Sequence, residues 1–191
     1  MSMEDCELSY DERILLSEEG EIVVPVYTQP LHEFRFKEFC DANGLINYLP
    51  LKRTFKVHNV VRKGKAYNYR KVVMRPLFAS YVFVRLPKKE QSFLFSSKSV
   101  IRILDVCDQK GFLDSVRTVR AVELAGLESE LEFNVDIKEG ERFLIESGNW
   151  QGVCGWLVKK EKRYLWTVEI EFLHELVRAT IDPSQYKMSR A

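Results

Sequence analysis

The sequence predicts an α+β protein made of two modules, a mixed first module and a smaller all-β second one. Strand-like and helix-like runs alternate up to residue 111, a helical pattern fills 112–133, and short strands separated by glycines follow from 134. A chain of 191 residues that is 46% hydrophobic can form two packed cores. We therefore predict an acidic extension over 1–21, a first domain over 22–111, a helical linker over 112–133, a barrel over 134–182 and a tail over 183–191.

The first predicted elements are a strand over 22–27 and a helix after it. The strand is rich in β-branched residues, and because Pro25 cannot donate a hydrogen bond, we expect an edge position or a bulge there. In the helix, Phe36, Phe39 and Cys40 share one face at the spacing i, i+3, i+4. The module therefore begins with β followed by α.

A long arm and a central strand come next. Residues 46–55 predict the strand that enters the arm, residues 67–74 the strand that returns, and 62–65 the turn between them. The run over 76–86 predicts one central strand, because apolar residues are dense along it.

A short helix and a final strand complete the first module. The helix is predicted over 88–99, with Phe93 and Leu94 facing inward, and the strand over 100–106. The resulting order β-α-β-β-α-β is that of the ferredoxin-like split βαβ fold. The helical pattern that follows, over 112–133, is either a linker helix or a third layer on the first module.

The sequence pattern of the second module predicts a small closed barrel. Its short strands are separated by Gly140, Gly148, Gly152 and Gly155 and end near residue 181. Some fifty residues with such spacing fit a barrel. Each of Trp150, Trp156 and Trp166 suits either a core or an interface, and we expect Trp156 inside the barrel and Trp150 on a loop.

The composition argues against several classes of function. The four cysteines are far apart and the three histidines are not at ligand spacing, so we predict no metal site, no disulfide framework and no cofactor. No apolar run approaches the roughly 20 residues of a membrane span, and the acidic amino terminus differs from a secretory signal. No motif for nucleophilic or phosphate chemistry is present. We expect a cytoplasmic protein that contacts no membrane and is not an enzyme.

Charge is sorted along the chain, although the net charge is only +1. Residues 1–21 carry eight acids against Arg13 alone. The segment from 52 to 75 carries no acid and nine cations: Lys52, Arg53, Lys56, Arg62, Lys63, Lys65, Arg70, Lys71 and Arg75. With Tyr67 and Tyr69 among them, these cations suit nucleic acid. The alternative is a solvated hairpin whose lysines keep it soluble.

Two segments together resemble the NusG family of transcription factors. The first, RPLFASYVFV over 75–84, is similar to the family's proline-leucine-phenylalanine-x-x-tyrosine-x-phenylalanine strand. The second, IKEGERFLIESGNWQGVCGWLV over 137–158, resembles the KOW motif, whose glycines permit the tight turns of a five-stranded SH3-like barrel. The resemblance covers residues 22–182 and implies a ferredoxin-like NGN domain followed by a KOW barrel.

The chain also departs from the family pattern. Val23 and Val24 stand where the family usually has an aromatic residue, and Ser80 stands where glycine or asparagine is common. The basic arm is longer than a minimal one. These departures favour a specialised, operon-directed paralogue of the RfaH or capsule-locus antiterminator type.

The resemblance implies a transcription elongation or antitermination factor that binds the clamp coiled coil of RNA polymerase and reduces pausing or termination. Carried over by position, the polymerase-binding residues are Tyr27, Tyr48, Pro50, Phe78, Ala79, Tyr81, Phe83, Gln91 and Ser92. Of these, Gln91 and Ser92 would reach the opposite lobe of the enzyme. Strand alternation predicts that Phe78 faces away from Tyr81 and Phe83.

Further partners follow from the same resemblance. The predicted nucleic-acid contacts, including one to non-template DNA, are Arg35, Lys37, Arg62, Lys63, Lys65, Ser97 and Lys98. The barrel would bind a ribosomal protein or the termination factor Rho, and its balanced charge favours a protein over RNA. A monomer is expected.

Two other functions stay open at this point. One is a KOW-containing RNA-binding or ribosome-associated protein that makes no contact with RNA polymerase, and the other is an enzyme with an unrecognised site. Binding to RNA polymerase separates the first alternative from the family function.

Overall fold

The fold is seen in a computed structural model that describes residues 12–16, 20–62, 65–128, 130–133, 135 and 139–191, with backbone only for 58–62, 65–67 and 128. The predicted α+β class is confirmed, since helices and antiparallel sheets both contribute. Most of the predicted acidic extension, and Lys63 and Gly64 of the predicted arm turn, lie outside the described residues. Among those described, no helix has both the length and the apolar character needed to cross a bilayer.

The elements follow one another along the chain with short connections. In order they are β1 (Glu21–Thr28), α1 (Glu33–Ala42), β2 (Ile46–Tyr48), β3 (Leu51–Arg62), β4 (Lys65–Pro76), β5 (Tyr81–Pro87), β6 (Val100–Ile103), α2 (Gln109–Glu128), β7 (Leu131–Glu132), β8 (Glu141–Ile145), β9 (Cys154–Lys160), β10 (Arg163–Ile170), β11 (Glu175–Ile181) and β12 (Met188–Arg190). Single 3-10 turns or helices lie at Glu12–Leu15, Lys88–Ser97, Gly148–Trp150, Glu171–Leu173 and Pro183–Gln185.

The first sheet has the order β2-β5-β1-β6, and every neighbouring pair in it is antiparallel. Alternation along β1 and β5 gives the sheet two apolar faces. One face packs against α1 and the 3-10 helix through Val24, Val26, Val82, Val84, Phe36 and Leu94. The other face carries Val23, Tyr48, Tyr81 and Phe83 and packs against α2.

Strand β1 is central, so the edge position predicted from Pro25 is wrong. The alternative, a bulge at Pro25, is not seen either, because the register shift in the pairing with β6 lies between Tyr27 and Thr28. Proline is tolerated because its nitrogen points to the side on which β6 pairs, and that pairing starts only at Val26. Beyond the end of β6, the side chain of Gln109 takes the place of a strand. The Val23 N–H donates to Gln109 Oε1 (2.9 Å), and Gln109 Nε2 donates to the Val23 carbonyl (3.0 Å).

Two predicted elements of the first module differ from the structure. The predicted central strand over 76–86 is in fact the end of β4, a turn, and β5, which begins at Tyr81. The predicted helix over 88–99 is a 3-10 helix in which Leu94 is buried, whereas Phe93 is 42% exposed. Phe93 rests beside Phe39 of α1, with 5.5 Å between ring centroids, so only half of the inward prediction holds.

Helix α2 is a layer between the first sheet and the second, which resolves the alternatives left open for the 112–133 pattern. Val116, Val119 and Val122 are fully buried along it. The helix begins at Gln109 and ends at Glu128, several residues before the predicted limit. It contacts β1 and β3 on one side and β10 and the Gly148–Trp150 turn on the other.

The second sheet has the order β12-β8-β9-β10-β11-β7, which is one strand more than the five predicted. Trp150 and Trp166 fill its interior with ring centroids 6.4 Å apart, and Trp156 is half-buried. The prediction for Trp150 and Trp156 is therefore wrong: Trp150 lies on a 3-10 turn, but that turn folds inward. A Cβ on Gly155 would stand 2.6 Å from the Thr167 carbonyl oxygen, which explains the glycine at this strand crossing.

Strands β3 and β4 form a separate two-stranded ribbon, hereafter the arm. Its ladder runs without a break from Leu51 paired with Pro76 to Arg62 paired with Lys65. The predicted entering strand over 46–55 is divided at residues 49–50, so that β2 joins the first sheet and β3 leaves it.

Candidate partner-binding site

An aromatic cluster centred on Phe83 lies where the first sheet, α2 and the second module meet. Phe83 is fully buried. Its ring centroid is 5.8 Å from that of Tyr48, 5.9 Å from that of Phe112 on α2 and 5.5 Å from that of Phe172. Phe172 lies on the 3-10 turn between β10 and β11. The second module therefore covers this part of the first sheet.

The cluster extends to the exposed end of the sheet through a pair of tyrosines. Tyr27 on β1 and Tyr81 on β5 are direct cross-strand partners, with ring centroids 5.3 Å apart in a T-shaped arrangement. Both rings are half-buried, and the guanidinium of Arg102 lies 5.4 Å from the Tyr27 centroid. Tyr81 also contacts Phe172, at 6.1 Å between centroids.

Beside Tyr81, a groove of about 310 Å³ separates the two modules. Phe78, Ala79 and Tyr81 line it from the first module, and Phe133, Leu173 and Glu175 line it from the second, together with Leu77 and Lys52 at the base of the arm. Ala79 is exposed at its rim. We call this cavity the interdomain groove.

The interdomain groove carries one cation and one acid. Lys52 Nζ lies 4.6 Å from the centroid of the Phe133 ring. Burial raises the pKa of the Glu175 carboxyl, and the nearby charge of Lys52 offsets only part of that effect. The groove therefore joins an apolar wall, to which Leu77, Phe78 and Phe133 contribute, to a polar edge formed by Lys52 and Glu175.

A strained turn holds Phe78 and Ala79 in place. Ser80 is buried and has φ +67°, a conformation that favours glycine or asparagine. Its N–H donates to Glu33 Oε1 (2.8 Å), and its carbonyl accepts from the Thr28 N–H (2.8 Å). The buried carboxylate of Glu33 therefore fixes the turn that presents the groove residues.

A second buried carboxylate fastens α2 to the base of the arm. Glu123 is 1% exposed, and it accepts hydrogen bonds from the Tyr48 hydroxyl (2.8 Å) and the Leu51 N–H (2.7 Å). Arg120 forms an ion pair with the same carboxylate. Tyr48 is consequently held by its hydroxyl as well as by its ring.

The structure brings most of the predicted polymerase-binding residues together. Tyr27, Tyr48, Phe78, Ala79, Tyr81 and Phe83 lie in the cluster or the groove, and the carbonyl of buried Pro50 accepts from the Leu77 N–H. Phe78 belongs to the same core as Tyr81 and Phe83, so the alternation argument is wrong because Phe78 precedes the strand. Tyr48, Pro50, Phe78 and Phe83 are buried in this arrangement. None of the four is available to a partner in this arrangement: Tyr48 is held by Glu123 of α2, and Phe83 is covered by Phe112 of α2 as well as by Phe172 of the second module.

Gln91 and Ser92 lie apart from this site. They belong to the 3-10 helix Lys88–Ser97, whose Leu94 packs against the opposite face of the first sheet. The structure therefore does not place them in one surface with the groove.

The predicted nucleic-acid residues fall in three places. Arg35 is exposed on α1, while Lys37 is paired with Asp41 at 2.6 Å. At the end of the 3-10 helix, the Ser97 hydroxyl donates to the Leu94 carbonyl (2.8 Å), and Lys98 is exposed. In the arm, Arg62 and Lys65 are paired as backbone, and Lys63 lies outside the described residues.

Several residues of the site were missed by sequence reasoning. They are Lys52, Phe112, Glu123, Phe133, Phe172 and Glu175, and all but Lys52 come from α2 or the second module. One sequence feature could have indicated this contact. Phe172 is an aromatic residue between two strands of a small barrel, and such a barrel has little interior room for it. Within the described chain, no three His, Cys, Asp or Glu residues are placed to hold a metal ion.

A comparison with protein-family models finds no match for the chain, and a comparison with curated proteins finds none either.

Proposed function

We propose that the protein is a NusG-like transcription elongation or antitermination factor, in which a ferredoxin-like NGN domain binds RNA polymerase and an SH3-like KOW barrel follows. The observation that carries the proposal is the joined aromatic cluster of Tyr27, Tyr81, Phe78 and Phe83 at one end of the first sheet, in which the tyrosines are half-buried and the phenylalanines are buried. The antiparallel order β2-β5-β1-β6, with α1 on one face, supports the domain assignment.

The chemistry of this surface suits a helical hairpin. Aromatic rings bury a large area with few rotatable bonds, and they dominate interfaces in which a helix lies in an apolar groove. Ala79 adds a small residue between Phe78 and Tyr81 that allows close approach of a helix backbone. The coiled coil at the tip of the polymerase clamp has this shape in the family that the sequence resembles.

Part of the surface is covered, which makes binding conditional. Phe172 of the second module lies 5.5 Å from Phe83 and 6.1 Å from Tyr81, at the centre of the cluster. A partner helix that takes its place must compete with the second module for the same rings. In such a competition, the apparent association constant equals the intrinsic one multiplied by the fraction of molecules that are open.

The proposed activity involves no catalysis. By binding the elongating state of RNA polymerase more tightly than the paused state, the factor shifts the population toward elongation. A ribosomal protein or Rho would bind the released second module, as the resemblance implies. We also propose that the factor acts on particular operons, as the departures from the family pattern favour.

The test is capture of purified RNA polymerase, and of its isolated clamp coiled coil, by the full chain. We expect Tyr81→Asp to reduce capture at least tenfold, because a carboxylate would be buried against the partner without a counter-charge. Phe172→Ser is expected to increase capture severalfold by loosening the cover. Phe93→Asp, which alters a partly exposed ring on the opposite face of the first sheet, is the matched control for the isolated coiled coil and is expected to bind it like the unaltered chain.

Absence of binding by the Phe172→Ser variant, with its fold intact by circular dichroism, would reject the polymerase proposal. If that variant then bound RNA or ribosomes instead, the protein would be the KOW-type RNA-binding alternative.

A further inference from the structure

We propose that one face of the arm binds the phosphate backbone of single-stranded nucleic acid. This face is defined by Lys52, Lys56, Tyr69, Lys71 and Arg75, and we call it the basic face. The sequence assigned nucleic-acid binding to all nine cations of the segment and named those of the turn as contacts, whereas the register of the ladder places the basic face along one side of β3 and β4. The proposal goes beyond polymerase binding and does not depend on it.

The register of the arm pairs like charges. Lys56 is the direct cross-strand partner of Lys71, and Lys52 is the partner of Arg75. Because directly opposed side chains point to the same side of a ribbon, all four cations share one face. The two pairs are four residues apart, which is about 13 Å along the strand.

These pairs cost stability in the free protein. Like charges directly opposite each other in a ribbon repel, and other residues at the same positions would relieve the repulsion. Lys56, Lys71 and Arg75 are exposed, and none of them has a carboxylate partner among the described residues. A polyanion that lies across the face removes this cost, whereas solubility alone does not require opposed cations.

The other side of the arm has a different chemistry. Phe55 and Val72 are cross-strand partners there, next to Val57, and the three side chains are 59%, 44% and 57% exposed in that order. The guanidinium of Arg53 lies 5.8 Å from the Phe55 ring centroid. The cations of this ribbon are therefore concentrated on the basic face, which argues against a uniformly charged, merely solvated hairpin.

Single-stranded nucleic acid suits the basic face better than duplex does. Tyr69 lies on the same side as Lys71 and its ring is 52% exposed, so that a base can stack on it while the cations hold the backbone. A ribbon of only two strands offers a narrow track that one strand of phosphates can follow. The shared chemistry is a phosphodiester chain, from either DNA or RNA.

The test is fluorescence anisotropy with a labelled 20-nucleotide single-stranded DNA, the same sequence as RNA, and the corresponding DNA duplex, over a range of salt concentrations. We expect binding to both single strands to fall with salt, with a slope of log K against log salt near −2 for three released phosphate contacts. Lys56→Glu/Lys71→Glu should weaken binding at least tenfold and reduce the slope by about 1.4.

The matched control changes the same number of charges on the opposite side. For Arg53→Glu/Arg70→Glu, the expected decrease in the logarithm of the association constant is less than half of that for Lys56→Glu/Lys71→Glu. The single change Lys56→Glu adds a readout that a structural role would not produce, because it creates an opposed acid–base pair with Lys71. This variant should be at least as heat-stable as the unaltered chain and yet bind more weakly.

Equal losses from the two double variants would show that binding is not confined to the basic face and would overturn the proposal. Preference for the duplex over both single strands would also overturn it. Polymerase capture by the Lys56→Glu/Lys71→Glu variant is a separate measurement, so failure of either proposal leaves the other to be judged alone.

Discussion

At the scale of the residue, Leu31 carries backbone strain that no packing explains. It has φ +66° and is 90% exposed, in a turn closed by a hydrogen bond from the His32 N–H to the Gln29 carbonyl. Pro30 and a left-handed Leu31 occupy the positions at which a type II turn favours proline and then glycine.

Leu31→Gly is therefore expected to raise the free energy of unfolding by about 0.5 to 1 kcal/mol, since release of roughly 1–2 kcal/mol of strain exceeds the added chain entropy. Chemical denaturation measures the difference. Leu31→Ala retains the Cβ and serves as control, with no gain expected. A loss of stability in the glycine variant would mean that the leucine side chain contributes to the fold.

At the scale of the element, the position of α2 depends on the Glu123 carboxylate. Glu123→Gln replaces one acceptor oxygen with a donor that faces the Tyr48 hydroxyl or the Leu51 N–H. We expect a loss of about 2–4 kcal/mol in the free energy of unfolding, because buried donors are left unpaired. Asp114→Asn is the control on the same helix, because its exposed ion pair with Arg117 contributes less than about 1 kcal/mol. Comparable losses in both variants would contradict this account.

The sequence predicts the strands and helices that local residue patterns specify. It does not predict the turns and contacts that depend on residues distant in the chain. The dense apolar run of β5 and the apolar positions of α1 can be read directly, since each reflects burial by neighbouring layers. The break at Pro76 and Ser80 could not be read, because the turn depends on Glu33 from a distant helix. Likewise, nothing in the sequence indicates that Phe172 would rest on Phe83. The site residues on the first module were therefore predictable, and those contributed by the second module were not.

At the scale of the whole molecule, we expect Glu175, which lines the interdomain groove, to make the stability of the fold depend on pH. Its pKa is raised above the ordinary 4.5 because burial disfavours the carboxylate. A carboxyl whose pKa is raised by folding stabilises the folded state at pH values below its unfolded pKa. That contribution is lost as the pH rises through its folded pKa.

Glu175→Gln is expected to raise the melting temperature at neutral pH and to flatten its dependence on pH above about 4.5. Thermal unfolding from pH 4 to pH 8 measures both effects. Glu169→Gln, on the neighbouring strand β10, is the comparison, because it removes a half-buried carboxyl that does not line the groove. An unaltered slope in Glu175→Gln would place the pH sensitivity elsewhere.

The unbroken ladder of the arm has a consequence for its length. It holds 12 cross-strand pairs, which at about 3.3 Å per pair gives a ribbon roughly 40 Å long, measured from its buried base at Leu51. Deleting one pair would shorten the ribbon but exchange the two sides for every residue beyond the deletion, whereas deleting two adjacent pairs would keep each side facing as before. Natural insertions and deletions in this ribbon should therefore come in multiples of two pairs, because only these keep the basic face on one side along its whole length.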